Sequence, residues 1–275
     1  MPSASQTTET RGPVVGASSY DPSPSPPTYT EETIGMRKLE VVESVRKVPL
    51  LSGIVCKQGG PEAPIDILEA GCGQRWLLKL DGKSYRLIGV DLDKDAMEIR
   101  MKVRKDLDEA IHGDLRTISF GERRFDVVYS AFVLEHIEGA EDVLARMTGW
   151  LKPGGIIIIE IPDPGSVKGW VTKVTPHWFH VFYYKYILGK KTAGQLGYGP
   201  YRTIYDPVVS RPGIHGFCDR YRLQVEGEYA FQTDGPRNKL LRSMMTVVTV
   251  TLGLLTFGAL SSRHADLLYV LRKTA

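Results

Sequence analysis

The sequence is poor in cysteine, nearly balanced in charge, and without an apolar segment at its start. Its three cysteines, Cys56, Cys72 and Cys218, form no Cys-x-x-Cys pair, which argues against a disulfide-stapled secreted domain and a zinc ribbon. We expect no metal site. Lys and Arg number 35 against 32 Asp and Glu, so composition indicates no nucleic-acid partner. A chain of 275 residues can bury a large core without covalent cross-links.

Residues 1–33 differ in composition from the rest of the chain. The run Asp21-Pro-Ser-Pro-Ser-Pro-Pro27 cannot bury apolar surface, which predicts a disordered or polyproline-like tail. A solvated extension is the favoured interpretation, and a ligand for a proline-reading domain is the alternative. Because the start lacks both the apolar core of a secretory signal and the Arg-rich pattern of a transit peptide, we expect a cytoplasmic location.

The remaining residues, 34–275, alternate short apolar runs with helical patterns. This alternation predicts an α/β domain with a doubly wound, mostly parallel, seven-stranded sheet and helices on both faces. An N-terminal helical cap is expected over 34–60, with a helix at 34–48 ended by Pro49. The other predicted elements are strands near 65–68, 86–90, 109–112, 125–129 and 156–161, and helices near 94–105 and 139–151.

A glycine loop and two acids follow the first three core strands. The loop is Glu69-Ala-Gly-Cys-Gly73, Asp91 ends the next strand, and Asp114 follows the third. In such sheets the ligand lies beyond the carboxyl ends of the strands, where an acid can accept both ribose hydroxyls of an adenosine. Trp76 occupies the third glycine position of a dinucleotide fingerprint, which disfavours a pyrophosphate. The sequence therefore predicts an adenosine-like ligand that has no pyrophosphate.

At this point the sequence resembles the class I S-adenosylmethionine (SAM)-dependent methyltransferases. The resemblance covers about 65–162, with a last strand at 266–272, and it departs from the family at Arg75, where a further glycine is usual. Its five segments stand in the family's order: Ile67–Gly73, Gly89–Asp93, His112–Leu115, Phe125–Ser130 with Val133–Ile137, and Trp150–Gly155.

The resemblance implies SAM as cofactor and a role for nine residues. Asp91 would hold the ribose and Asp114 the adenine. The others divide into groups around the methionine part (Glu69, Gly71, Gly73), the adenine ring (Leu92, Leu115) and the sulfonium (Ser130, His136). For His136, a structural or cofactor-packing role is favoured over proton transfer.

The segment 163–210 is a long connection rich in aromatic residues. It holds 10 of the 25 Phe, Trp and Tyr residues, and connections of this length are usually functional. Thr175 is predicted to cap a helix that ends at Gly189 and places His177 and His180 on one face. We interpret the segment as a lid over the acceptor, with these histidines as candidate catalytic bases. The alternative is an aromatic packing helix.

Residues 243–262 are an apolar stretch without charge, flanked by Arg242 and Arg263. The length could span a bilayer. Strand patterns at 221–231 and 266–272 belong to one sheet, so a buried or interfacial helix is favoured over a spanning one. If the helix is interfacial, we expect peripheral membrane contact through this stretch and a lipophilic acceptor.

Methyl transfer from SAM to a small, apolar or aromatic acceptor by in-line displacement is the function that the sequence favours. A non-catalytic scaffold or partner subunit of the same fold is the alternative, because Arg75 departs from the family pattern. An aminopropyl transferase would require extra acids for a polyamine, whereas the insert is aromatic and basic. Modification of nucleic acid is not expected, since no Asn/Asp-Pro-Pro-Tyr/Phe sequence is present.

Overall fold

The computed structural model describes residues 39–60, 63–195, 199–232, 239–257 and 259–274. The predicted tail over 1–33 and the first part of the predicted helix at 34–48 lie outside these ranges. The strands are β1 (Glu40–Val42), β2 (Ile65–Ala70), β3 (Tyr85–Asp91), β4 (Glu109–His112), β5 (Phe125–Ala131), β6 (Leu151–Pro162), β7 (Leu223–Phe231) and β8 (Asp266–Lys273).

All eight strands form one sheet in the order β1-β7-β8-β6-β5-β2-β3-β4. Every neighbouring pair is parallel except those made by β8, which runs antiparallel to β6 and β7. The predicted α/β class and mostly parallel sheet are confirmed. The sheet has one strand more than the predicted seven, because β1 pairs in parallel with β7.

Seven α-helices accompany the strands in the described residues. They are α1 (Lys47–Cys56), α2 (Lys94–Glu98), α3 (Ala140–Trp150), α4 (Val167–Val174), α5 (His177–Phe182), α6 (Arg211–Tyr221) and α7 (Lys239–Leu255). Two π-helical turns continue α2 and α5, over Ile99–Arg104 and Tyr183–Ile187, and short 3-10 turns lie at Ser44–Arg46 and Leu134–His136. Apart from the region before residue 50, the predicted strands and helices overlap these elements, although β6 begins five residues before the predicted strand at 156–161 and α7 ends seven residues before the end of the apolar stretch at 243–262.

The predicted helix at 34–48 is wrong for the residues that the structure describes. Val41 and Val42 lie in β1, where β-branched side chains suit a strand, and Val42 packs in the core. Pro49 lies inside the first turn of α1 instead of ending a helix. A proline is tolerated there because the backbone N–H groups of a first turn have no partner within the helix.

The core lies on both faces of β6. Its isoleucines are completely buried because helices cover the sheet on both sides. Among the described residues, no helix is both long and apolar enough to cross a bilayer, and α7 has 17 residues.

A partly buried ion pair joins helix α6 to β7. Arg211 Nε donates to Glu228 Oε1 over 2.7 Å, and His215 Nε2 lies 3.2 Å from the same oxygen. Burial alone would raise the pKa of Glu228, but these two partners lower it to about 2. Because this pKa is below its ordinary value of 4.5, the stabilisation is present above that pH and is lost as pH falls toward 2.

We expect Glu228→Gln to reduce the free energy of unfolding at neutral pH by about 2–3 kcal/mol, because the Arg211 guanidinium loses its anionic partner and the hydrogen bond to His215 loses a charged oxygen. The variant should also lose less stability than the unaltered chain as the pH falls below 4.5. Urea unfolding across this pH range measures both effects. Glu122→Gln, in an exposed turn, is the control. Equal pH dependence in the two variants would contradict the assignment.

Candidate functional site

The glycine loop lies at the edge where the parallel strands end. Ala70 pairs with Val90 at the ends of β2 and β3, and the chain then turns through Gly71 and Cys72. The N–H groups of these two residues both donate to the Val90 carbonyl, over 2.8 and 3.1 Å. The loop therefore folds back across the end of β3 and brings its glycines beside Asp91.

The two loop glycines serve different purposes. Gly71 has φ +79°, and a Cβ there would lie 2.3 Å from Val133 Cγ2, so only glycine allows this packing. Gly73 has φ +50°, and nothing lies within 4 Å of the position that its Cβ would take. Gly73 therefore leaves open space at the surface of the loop.

Asp91 is fixed by two backbone donors. Its Oδ2 accepts from Gly73 N–H over 2.8 Å, and its Oδ1 accepts from Asp93 N–H over 2.9 Å. Asp93 caps α2 by accepting from two N–H groups of the first turn. Each carboxylate oxygen of Asp91 keeps a second lone pair. Leu92, which follows, is 64% exposed and offers an apolar surface beside that carboxylate.

Arg100, which the sequence analysis missed, lies beneath the loop and is completely buried. Its guanidinium donates to Glu69 Oε2 over 2.8 Å, to the Cys72 carbonyl over 2.7 Å and to Asp106 Oδ1 over 2.6 Å. Burial raises the pKa of Glu69, and the adjacent guanidinium opposes that rise. Burial also raises the pKa of the Cys72 thiol to about 12. The loop thus rests on an internal ion pair.

The predicted adenine contacts, Asp114 and Leu115, are partly engaged within the protein. The Asp114 carboxylate binds the Arg116 guanidinium through two nitrogens, with the shortest contact at 2.6 Å. The hydrogen bonds from Arg116 lower the pKa of Asp114. Leu115 is buried in the core. Of the two predicted ring neighbours, Leu92 presents an exposed side chain and Leu115 does not.

Buried polar atoms without hydrogen bonds gather near the end of β5. They include Ser130 Oγ, Glu135 Oε2 and Tyr205 Oη. Burial raises the pKa of Glu135 to about 8, so this carboxyl is largely protonated at neutral pH. Burial, together with the charge of Glu135, also raises the pKa of Tyr205. The sequence analysis selected Ser130 but missed Glu135 and Tyr205. These two residues are far apart in the sequence and come together only in the folded chain.

The segment Tyr201–Tyr205 brings the aromatic insert to the glycine-loop edge. Ile204 N–H donates to the Glu135 carbonyl over 2.8 Å, and His136 Nδ1 lies 2.8 Å from the Arg202 carbonyl. The Tyr201 and His136 rings meet edge to face, 5.6 Å apart. Burial raises the pKa of Tyr201, and the charges of Asp93 and Asp91 add to that rise.

His177 and His180 lie together on α5, with ring centroids 6.4 Å apart. The prediction that Thr175 is the N-cap of this helix is wrong, because the N-cap residue is Pro176. The Thr175 hydroxyl donates to the Val171 carbonyl over 2.7 Å, so His180 Nε2, 2.6 Å away, acts as donor to that oxygen. Burial lowers the pKa of His180 and of His136, and His177 lowers both further.

These residues fit an adenosine-bearing sulfonium cofactor. Gly73 supplies open space, Asp91 supplies free acceptor capacity, and Leu92 supplies apolar surface. Hydroxyl groups of a ribose suit the remaining lone pairs of Asp91. Glu69 accepts a hydrogen bond from Arg100 and thereby helps to hold the glycine loop in place.

Residues 68–159 match the protein family described as Methyltransferase domain. They form a class I SAM-dependent methyltransferase domain. Two solved structures share the fold. A chain from the complex of the Haloferax volcanii methyltransferase activator Trm112 with a methyltransferase has TM-score 0.54 and 15% identity, over 84% of this chain and 90% of that one. The N-methyltransferase NodS of Bradyrhizobium japonicum has TM-score 0.50 and 13% identity, over 84% and 87%.

The methyltransferase domain is also similar in sequence to curated proteins. A demethylmenaquinone methyltransferase of Oceanobacillus iheyensis is 28% identical over 53% of this chain and 63% of its own length. One of Staphylococcus saprophyticus is 28% identical over 40% of this chain and 50% of its own. This chain therefore spans less than two thirds of the length of either relative.

We expect Asp91→Asn to weaken binding of S-adenosylhomocysteine to the methyltransferase domain at least about tenfold, because the ribose loses a charged acceptor. Isothermal titration calorimetry measures the affinity. Asp95→Asn, an exposed acid in the first turn of α2, is the control. An affinity for the Asp91 variant equal to that of the control would reject the ribose contact.

Arg100→Met should lower the free energy of unfolding by about 3–5 kcal/mol, because Glu69 would remain buried without a counter-charge. The double variant Arg100→Met/Glu69→Gln should regain part of that stability, since the unpaired charge is removed. Thermal unfolding followed by circular dichroism measures both. Arg104→Met, at an exposed position of the same segment, should change little. A double variant less stable than the single one would contradict the ion-pair account.

Proposed function

We propose that this chain is a SAM-dependent methyltransferase that acts on a small, apolar or aromatic acceptor. One observation carries the proposal. The Tyr201 ring of the insert meets the His136 ring edge to face, and the Arg202 carbonyl lies 2.8 Å from His136 Nδ1, so the insert adjoins a residue that the resemblance assigns to the cofactor. The residues that would hold the cofactor and those that would line the acceptor therefore meet at one edge of the sheet.

Methyl transfer from SAM requires little of the protein beyond the correct placement of cofactor and acceptor. When bound, SAM supplies a methyl group on a sulfonium, which is already an activated electrophile. Asp91 would hold the ribose and Gly73 would admit the cofactor close to the backbone. His136 and Tyr201 would restrict water at the same edge. An acceptor held in line with the transferred methyl group gains its rate from orientation.

The proposed acceptor class rests on the composition and position of the insert. Between Asp163 and Asp206 the chain has no acidic residue, which disfavours a cationic acceptor such as a polyamine. The insert is aromatic, and its Tyr205 is partly buried next to Glu135. The relatives named demethylmenaquinone methyltransferases act, by name, on an acceptor of this apolar, ring-bearing class.

A histidine of α5 is the proposed base for an acceptor that must lose a proton. His177 is exposed and close enough to His136 to lower its pKa. His180 donates through Nε2 to Thr175, which leaves Nδ1 as the acceptor on the neutral ring. Because burial lowers the pKa of His180, this ring stays neutral, and able to accept a proton, below the ordinary histidine pKa of 6.5.

Replacing both His177 and His180 by Ala should reduce transfer of labelled methyl from SAM to demethylmenaquinone by about a hundredfold. Cofactor affinity should stay unchanged. The unaltered enzyme should retain activity to below pH 6.5, because His180 remains neutral there. Lys173→Ala, on the exposed side of α4, is the control. Unchanged transfer in the double variant would reject the histidine base. Failure of the unaltered enzyme to methylate this probe would reject the acceptor class.

A non-catalytic scaffold is the second candidate, and two contacts favour it. Glu69 and Asp114 are both engaged by arginines, Arg100 and Arg116, and so contribute less to a cofactor than the family resemblance implies. Calorimetry separates the two candidates. Binding of SAM and of its demethylated product supports the enzyme, whereas binding of neither supports the scaffold.

A further inference from the structure

Helix α7 carries its apolar side chains on the outside. Leu240, Met244, Val247, Leu254 and Leu255 are all exposed and recur at the spacing of one helical face. The opposite face, which turns toward the fold, carries Gly253, Thr249 and Thr256. The two threonine hydroxyls donate to carbonyls of their own helix, so they need no other partner. The amphipathic pattern is thus the reverse of that of an ordinary surface helix.

The helical part of the insert shows the same arrangement with larger side chains. Trp178, Phe182 and Tyr186 follow one another at four-residue spacing and are all exposed. Trp170 and Val174 of α4 are exposed as well. Tryptophan and tyrosine are enriched where a protein meets the interface between lipid and water.

These two regions are neighbours in space. Helices α4 and α7 are in contact, and the Tyr183 hydroxyl donates to Met245 Sδ over 3.1 Å. We call the exposed side chains of 167–187 and 239–257 the outer apolar face. It holds 15 of the 25 large hydrophobic side chains that are exposed among the described residues. Exposed apolar surface concentrated in this way marks an interaction site.

The two spans of sequence that carry the outer apolar face contain charge of one sign. The sequence has no acidic residue in 164–205 or in 235–265. Exposed cations border the apolar side chains: Lys173, Lys185, Lys190, Lys191, Lys239, Arg242 and Arg263. A surface that combines apolar side chains with cations alone is complementary to anionic lipid, whose headgroups attract Lys and Arg. Two copies of such a face would repel one another.

We propose that the outer apolar face docks on the surface of an anionic lipid bilayer. Helix α7 and the α5 segment lie in the plane of the interface, with their apolar side chains among the lipid chains and the lysines at the headgroups. The contact is peripheral, in keeping with the absence of a bilayer-crossing helix among the described residues. This proposal does not depend on the proposed methyl transfer.

Flotation with lipid vesicles tests the docking. The full-length protein should float with vesicles that contain phosphatidylglycerol and should float much less with pure phosphatidylcholine. High salt should weaken the interaction, because the lysine contacts are screened. Val247→Glu/Leu254→Glu should reduce binding to the anionic vesicles at least about tenfold, since two apolar contacts become charged.

The matched control is Val45→Glu/Val103→Glu. These valines are 77% and 72% exposed, against 62% and 73% for Val247 and Leu254, but they lie outside the outer apolar face. Circular dichroism and binding of S-adenosylhomocysteine verify that both double variants fold. The proposal is rejected if the unaltered protein does not float, if it floats equally with neutral vesicles, or if the two double variants behave alike. Concentration-dependent dimerisation that Val247→Glu/Leu254→Glu abolishes, without vesicle binding, would assign the face to a second copy of the chain.

Discussion

The buried guanidinium of Arg100 fixes the edge of the sheet that carries the glycine loop. It bonds the end of β2 through Glu69, the glycine loop through the Cys72 carbonyl, and the chain leading to β4 through Asp106. A buried charge is tolerated only when its donors are satisfied, so these three parts are fixed together. The position of the loop in turn sets the bond from Gly73 to Asp91. The geometry of the Asp91 carboxylate therefore depends on a buried ion pair between Arg100 and Glu69.

Local patterns were enough to predict the sheet and the glycine loop. Apolar runs mark β2, β5 and β6, and Asp93 caps α2 because a short acid before a helix offers its carboxylate to the first turn. Arg100 was missed since it lies in a basic stretch with Lys102, Arg104 and Lys105, which is typical of a solvated helix face. Two of its three partners, Cys72 and Glu69, are 28 and 31 residues away, beyond any helical period.

The remaining differences also arise from contacts distant in sequence. Strand β1 forms because β7 leaves an edge open to it, and its three residues show no alternation long enough to predict a strand. Thr175 was predicted as a cap for the following helix. Instead, its hydroxyl donates to the Val171 carbonyl and accepts from His180 Nε2. The aromatic richness of the insert was attributed to a lid over the acceptor, with an aromatic packing helix as the alternative. In the structure the Tyr201 ring meets His136 and the Tyr205 hydroxyl is buried, whereas Trp178 and Tyr186 are exposed to solvent.

The uneven placement of acids has an electrical consequence. The two acid-free spans carry ten Lys and Arg residues, so the net charge of +3 for the whole chain leaves −7 on all other residues. Helices α4 and α7 of these spans are in contact, so their cations are concentrated in one region of the protein. In the field of an anionic plane, such a concentration would turn that region toward the plane. The effect would reach over distances of about a Debye length.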